Sequence, residues 1–85
     1  MRGADLEGSF LSAADLSGAD LQDANLRGTD LERARLNNAN LRGADLGEAS
    51  LRSVTLDGAN LGGARVSAEQ LAQARSLKGT TLPAG

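Results

Sequence analysis

The chain has 85 residues, nine basic and 11 acidic, for a net charge of −2, with no Cys, His, Trp or Tyr and a single Phe. That length bounds it to one domain, and the missing residue types exclude disulfides, thiolate or imidazole metal sites, and catalysis by Cys, His or Tyr. The near-neutral balance argues against a nucleic-acid binder, which would carry a basic stripe. No apolar run approaches ~18 residues, so no transmembrane helix is expected. No apolar signal region opens the chain, so the expected compartment is the cytoplasm. A domain this small normally needs aromatic filler or cross-links. Here Ala and Leu, 15 of each, must build the core by regularity instead.

The regularity is a period of five. After Met1-Arg2-Gly3, Leu stands at Leu6, Leu11, Leu16, Leu21, Leu26, Leu31, Leu36, Leu41, Leu46, Leu51, Leu56 and Leu61, and Val66 extends the series. We call this position the centre. Two residues before it sits Ala in 10 of 13 repeats, with the small Ser9, Thr29 and Val54 as exceptions. One residue before it sits Asp or Asn in eight of 13, and two after it Gly, Asn or Asp in eight of 13.

Neither regular element uses this period alone. Five residues turn an α-helix by about 500°, which sprays the leucines around its surface. In a strand five is odd, so successive leucines alternate faces. A short extended stretch followed by a corner solves the problem. Position −2 and the centre are two apart and point the same way. The corner falls at +2, where Gly, Asn and Asp tolerate unusual dihedrals. Repeated, this winds a solenoid with Leu and Ala inside.

The charges indicate four sides per coil. Residues 20 apart would then stack about 4.8 Å apart. Glu7–Arg27, Asp15–Arg35, Glu32–Arg52 and Asp45–Arg65 have that spacing, and all are opposite in sign. At spacing 25, Asp5–Asp30, Glu7–Glu32 and Asp20–Asp45 would repel.

The unit Ala-(Asp/Asn)-Leu-x-x over residues 4–66 resembles the pentapeptide-repeat family. The resemblance implies an all-β fold, a right-handed quadrilateral parallel β-helix. The side chains at the centre and at position −2 would line its interior, so the leucines above and Val66 are the expected core. It also implies a non-catalytic structural or protein-interaction module, with no cofactor, no metal and an unidentified protein partner. A second implied role exists, because some family members mimic duplex DNA and bind type II topoisomerases such as DNA gyrase. The few coils and interleaved arginines of this chain fit that role poorly.

Residues 67–85 read as a cap and tail. Ser67-Ala68-Glu69-Gln70 has the form of a capping box, and 67–75 is expected to be helical. Leu71 and Ala74, with Ala68, would share a face over the last coil. Leu77 and Leu82 keep the five-residue spacing, shifted by one. The N-terminal end has no comparable cap, so the coil of Leu6, Leu11, Leu16 and Leu21 is expected to be open. Self-association through that end, a preceding segment, and fraying are the three readings. Phe10 occupies a −1 position that normally carries a polar residue. It is expected either to tuck over the open end or, with Leu6, to anchor a partner. The ladders Asp20-Asn40-Asn60 and Asp5-Asn25-Asp45-Arg65 are expected to hydrogen-bond the turns of neighbouring coils rather than to hold a cation, which needs converging oxygens. Charge is uneven along the chain: residues 1–32 hold seven acids and two bases, and residues 33–85 four acids and seven bases.

Overall fold

The computed structural model describes residues 2–83. The last two residues of the expected tail therefore lie outside the described residues. The corner is the local device from which the fold grows. From Leu6 to Leu61, every centre C=O accepts from the N–H three residues later, at 2.9–3.2 Å. The residue at +2, between them, has a φ of 58–73° at each corner from Gly3 to Gly63. One left-handed residue in the third place is the signature of a type II turn. Glycine adopts it freely, but Ala13, Arg33, Glu48 and Ser53 are held there too. Their presence shows that stacking between coils outweighs a local backbone cost of about 1–2 kcal/mol each.

Parallel bridges join residues 20 apart, from Asp5–Asn25 through Asp45–Arg65. Four corners therefore close one coil, as the charge spacing implies. Three hydrogen bonds per side hold successive coils together. A centre N–H donates to the next coil (Leu26 to the Asp45 carbonyl, 2.8 Å). The N–H at +2 does the same (Gly28 to the Gly47 carbonyl, 2.8 Å). The N–H at −1 donates backwards (Asn25 to the Ala4 carbonyl, 2.8 Å). With the corner bond, these leave the +1 N–H and the +2 C=O of each inner repeat to side chains or solvent.

The core lies on the axis. Every leucine from Leu21 to Leu61 is at most 1% exposed, and Ala24, Ala34, Ala39, Ala44, Val54 and Ala59 are equally buried. Thr29 replaces Ala at a −2 site and is fully buried. Its hydroxyl donates to the Leu6 carbonyl at 3.1 Å, which offsets the cost of burying it.

The first coil departs from expectation at one corner. Leu6, Leu11 and Leu16 are half-buried and pack on the core, but Leu21 is fully buried. The segment before the first repeat runs beneath this corner, the Gly3 N–H donating to the Gln22 carbonyl at 2.8 Å, and the coil above covers it from the other side.

At the other end, the helix α1 covers only Ala68–Ala72, shorter than the expected 67–75. The ladder reclaims the chain early. The Ala74 N–H turns back to the Leu71 carbonyl at 3.1 Å, and the Arg75 N–H leaves for the Val54 carbonyl at 2.7 Å. Val66, Leu71 and Ala74 pack half-buried against the last coil, whereas Ala68 faces solvent. The one-residue shift of Leu77 and Leu82 has a structural cause. Arg75 donates to Val54, but it is Ser76 whose carbonyl accepts from Leu56, at 2.9 Å. Two residues share the role that Asn60 fills alone, which is the arrangement of a β-bulge. Beyond it the ladder resumes at a spacing of 21, through Thr55–Ser76 and Asn60–Thr81. Leu77 packs on the core, and Leu82 is left 54% exposed.

Removing an inner leucine leaves a cavity with no aromatic neighbour to fill it. Leu36→Ala should cost about 3–5 kcal/mol, and Leu36→Asp should abolish cooperative unfolding. Leu6→Ala, at a half-buried site, should cost about 1–2 kcal/mol. Urea titrations followed by circular dichroism measure all three; parent-like unfolding of Leu36→Asp would contradict the inward assignment, and equal costs for the two alanine variants would contradict the half-burial of Leu6.

Candidate functional site

The interior is filled, so function must reside on the outer faces or at the ends. The outward positions are −1, +1 and +2. Each stands in a column that climbs from coil to coil, as Asp5, Asn25, Asp45 and Arg65 do through their bridges.

The Asp and Asn residues at −1 have a defined local job. In Asp5, Asp15, Asp20, Asn25, Asp30, Asn40, Asp45 and Asn60, the Oδ1 accepts the N–H two residues later, at 2.9–3.2 Å. These Asx turns cap the corner that follows in the same coil. The expectation of bonds to neighbouring turns is thus revised: the turn each residue caps is its own. Contact between coils comes instead from asparagine. Asn25 Nδ2 donates to Asp5 Oδ1 and Glu7 Oε1, both at 3.3 Å. Asn40 Nδ2 donates to Asp20 Oδ1 and Gln22 Oε1, both at 3.4 Å. Among the described residues, no group of three or more acidic side chains could hold a metal ion.

The four charge pairs that indicate the coil length do not close as ion pairs. Among the described residues the ion pair within 4 Å is Arg2–Asp20, at 3.2 Å. Asp15 and Asp45 are turned toward their own corners, Glu7 accepts from Asn25, and all four arginines are exposed, where pairing gains little. Asp15 illustrates the balance. The Ser17 hydroxyl and then the Ser17 backbone N–H hold its carboxyl below the ordinary value; burial opposes them weakly, and Arg35 contributes least.

Phe10 does not tuck over the end of the solenoid. It is 87% exposed and stands on the second face, bridged to Asp30 in the next coil. A −1 side chain in an extended segment points away from the axis, so the ring cannot reach Leu6 across the open end.

A cleft of about 300 Å³ lies beside α1, lined by Arg27, Asp45, Gly47, Arg65, Val66, Ser67 and Gln70. Position 47, on its wall, has no side chain. A Cβ there would approach Asp45 Oδ1 to 3.2 Å and Arg27 Nε to 3.6 Å. The cleft gathers two arginines, the Asp45 carboxylate and the Ser67 hydroxyl; the carboxylate is engaged with the Gly47 N–H of its own corner at 3.0 Å and the hydroxyl with the Gln70 N–H at 3.0 Å.

Gln70 is the residue whose role the sequence reading only half reached. Ser67 Oγ accepts from the Gln70 N–H at 3.0 Å, and Gln70 Oε1 accepts from the Ser67 N–H at 2.9 Å, which completes the capping box. The other end of the same amide reaches the coil beneath. Gln70 Nε2 donates to the Leu46 carbonyl at 2.7 Å and the Ala49 carbonyl at 3.0 Å. In the inner coils the carbonyl corresponding to Ala49 is satisfied by a backbone N–H one coil on. Here α1 interrupts the ladder, and a side chain substitutes for the strand. Ser67 is exposed, Gln70 and Leu71 are half-buried, and the three together fasten the helix to the last coil.

With this geometry in view, comparison with known proteins defines the class. The model of pentapeptide repeats matches residues 1–33 and 29–67, in eight copies. The chain belongs to the pentapeptide-repeat family, whose fold is the right-handed quadrilateral β-helix. It is similar to a solved pentapeptide-repeat protein of the Arabidopsis thaliana thylakoid lumen, with 35% identity and a TM-score of 0.59 over 92% of this chain and 57% of that one. It is similar to another from Nostoc, with 30% identity and a TM-score of 0.59 over 95% of this chain and 75% of that one. HetL of Nostoc, described as involved in regulating heterocyst differentiation, shares 26% identity and a TM-score of 0.50 over 93% of this chain and 47% of its own. The chain thus spans between about half and three-quarters of the length of these relatives. No curated protein matches it significantly.

The double role of Gln70 separates it from an ordinary cap. In a simple capping box Gln and Glu are interchangeable. Here Gln70→Glu keeps the acceptor for Ser67 but sets a carboxylate against two carbonyls. We expect it to cost about 2–3 kcal/mol, against about 1 kcal/mol for Ser67→Ala. Thermal melting decides; a Gln70→Glu variant as stable as the parent would show that the contacts to Leu46 and Ala49 carry no weight.

Proposed function

We propose that the chain is a non-catalytic protein-interaction module, a stiff block whose outer columns present side chains to a partner protein. The observation that carries this is the division of labour within each repeat. Side chains at the centre and at −2 build the core. Those at −1, with the backbone at +2, secure the corner. Those at +1 have no role in core packing. Such faces vary without loss of fold, which suits recognition. A filled interior argues against a substrate pocket. The mimicry of duplex DNA finds little support, because Arg27, Arg35, Arg42, Arg52 and Arg65 stand on the same faces as the carboxylates.

Face-specific variants test the proposal. Protein immobilised on a resin is exposed to lysate of its own cells, with outward residues exchanged one face at a time and melting unchanged. A protein retained by the parent should be lost when one face is altered and kept when the others are. Retention indifferent to every face would contradict the proposal. DNA gyrase supercoiling in the presence of high-micromolar protein should be unaffected; inhibition would replace this reading with mimicry.

A further inference from the structure

The second face carries a residue whose placement the fold does not explain. At −1, eight Asp and Asn residues each supply an acceptor to their own corner. Phe10 cannot, so the Ser12 N–H lacks that cap. The ring is 87% exposed, while Leu82 is the other large apolar side chain left to solvent. The substitution thus gives up a turn contact and leaves an apolar ring wet, with no packing gain inside the chain.

Carboxylates outnumber bases around the ring: Asp30, Glu32 and Glu7 stand against Arg27, one coil above Glu7, and Arg52, one coil above Glu32. Asp30 is bridged directly above Phe10. Glu32 follows on the same face, its N–H bound to Asp30 Oδ1 at 3.0 Å. Glu7 precedes Phe10 around the corner. None of the three carboxylates lies within ion-pairing distance of an arginine or lysine among the described residues, and Arg2, the first base of the chain, is engaged with Asp20 on another face. The aromatic lies within residues 1–32, where acids outnumber bases by seven to two.

We propose that this face docks an arginine-bearing basic segment of a partner protein, one guanidinium stacking on Phe10 while its N–H groups reach Asp30 or Glu32. The spacing between coils, about 4.8 Å, suits a planar cation lying over a ring with a carboxylate one layer up. Arginine is preferred to lysine because its planar fork stacks and donates at once. A second copy of this chain meeting at the same end is the less complementary occupant, since it would bring two acidic surfaces together. The inference rests on the interaction-module reading and names the partner chemistry of one face.

The test uses the 85-residue chain and the peptide acetyl-Gly-Arg-Gly-Arg-Gly-Arg-Gly-amide, with its lysine counterpart, followed by amide chemical shifts in millimolar titrations. Shifts should centre on residues 7–12 and 30–32, and the lysine peptide should bind more weakly. Phe10→Ser should weaken arginine-peptide binding about two- to five-fold. Asp30→Asn, which keeps the turn acceptor and removes the charge, should weaken it as well. Asp45→Asn makes the same change on another face and should have no effect. The proposal is overturned if Phe10→Ser binds like the parent, if Asp45→Asn weakens binding as much as Asp30→Asn, or if the two peptides bind alike. It is also overturned if the arginine peptide fails to bind while sedimentation reveals a dimer that Phe10→Ser dissolves. Absence of peptide binding with a lysate partner retained on a different face would remove this inference and leave the module reading standing.

Discussion

The left-handed residue at each corner is the constraint on which the rest of the molecule depends. It turns a five-residue period, useless to a helix and to a flat strand, into a chain that changes direction with the same side inward every time. Once four corners close a coil, backbone hydrogen bonds fall into register at a spacing of 20, and the leucines stack without further instruction. The core is therefore narrow and needs no aromatic filler. That Arg33 and Glu48 accept a dihedral suited to glycine indicates that the ladder, rather than local preference, sets the backbone.

The inner coils were legible in the sequence because each repeat solves the same small problem with the same residues. Leu and Ala spacing gave the inward positions, and opposite charges at spacing 20 gave the number of sides. That second inference succeeded without the contact it invoked. The charges stack in columns, but the carboxylates serve their own corners instead of closing ion pairs. Periodicity reports register more reliably than it reports side-chain conformation.

What escaped the sequence lies at the ends, where no repeat averages out a local detail. The shift of Leu77 was visible, but not that a bulge at Arg75-Ser76 absorbs it and returns the tail to the ladder. The capping box of Ser67 and Gln70 was visible, but not that the far end of the Gln70 amide replaces a missing strand contact at Ala49 and adds a second bond to the Leu46 carbonyl, already held in its own corner. Both depend on which carbonyls the interrupted coil leaves unpaired. Phe10 was marked as irregular from its position, and its direction followed from extended backbone geometry once the first coil proved to be regular.

The central claim is that register, more than local preference, specifies this fold. Deleting one whole coil, positions 25–44, tests it against a deletion that stops one position short, 25–43. The whole-coil deletion should leave a shorter protein with the same circular dichroism shape and cooperative melting, because every remaining leucine still points inward. The shorter deletion leaves one extra residue between two stacked coils, where a bulge like that at Arg75-Ser76 would have to form inside the ladder rather than at its end, and should lower the melting temperature and broaden the transition. Equal melting of the two variants would contradict the account.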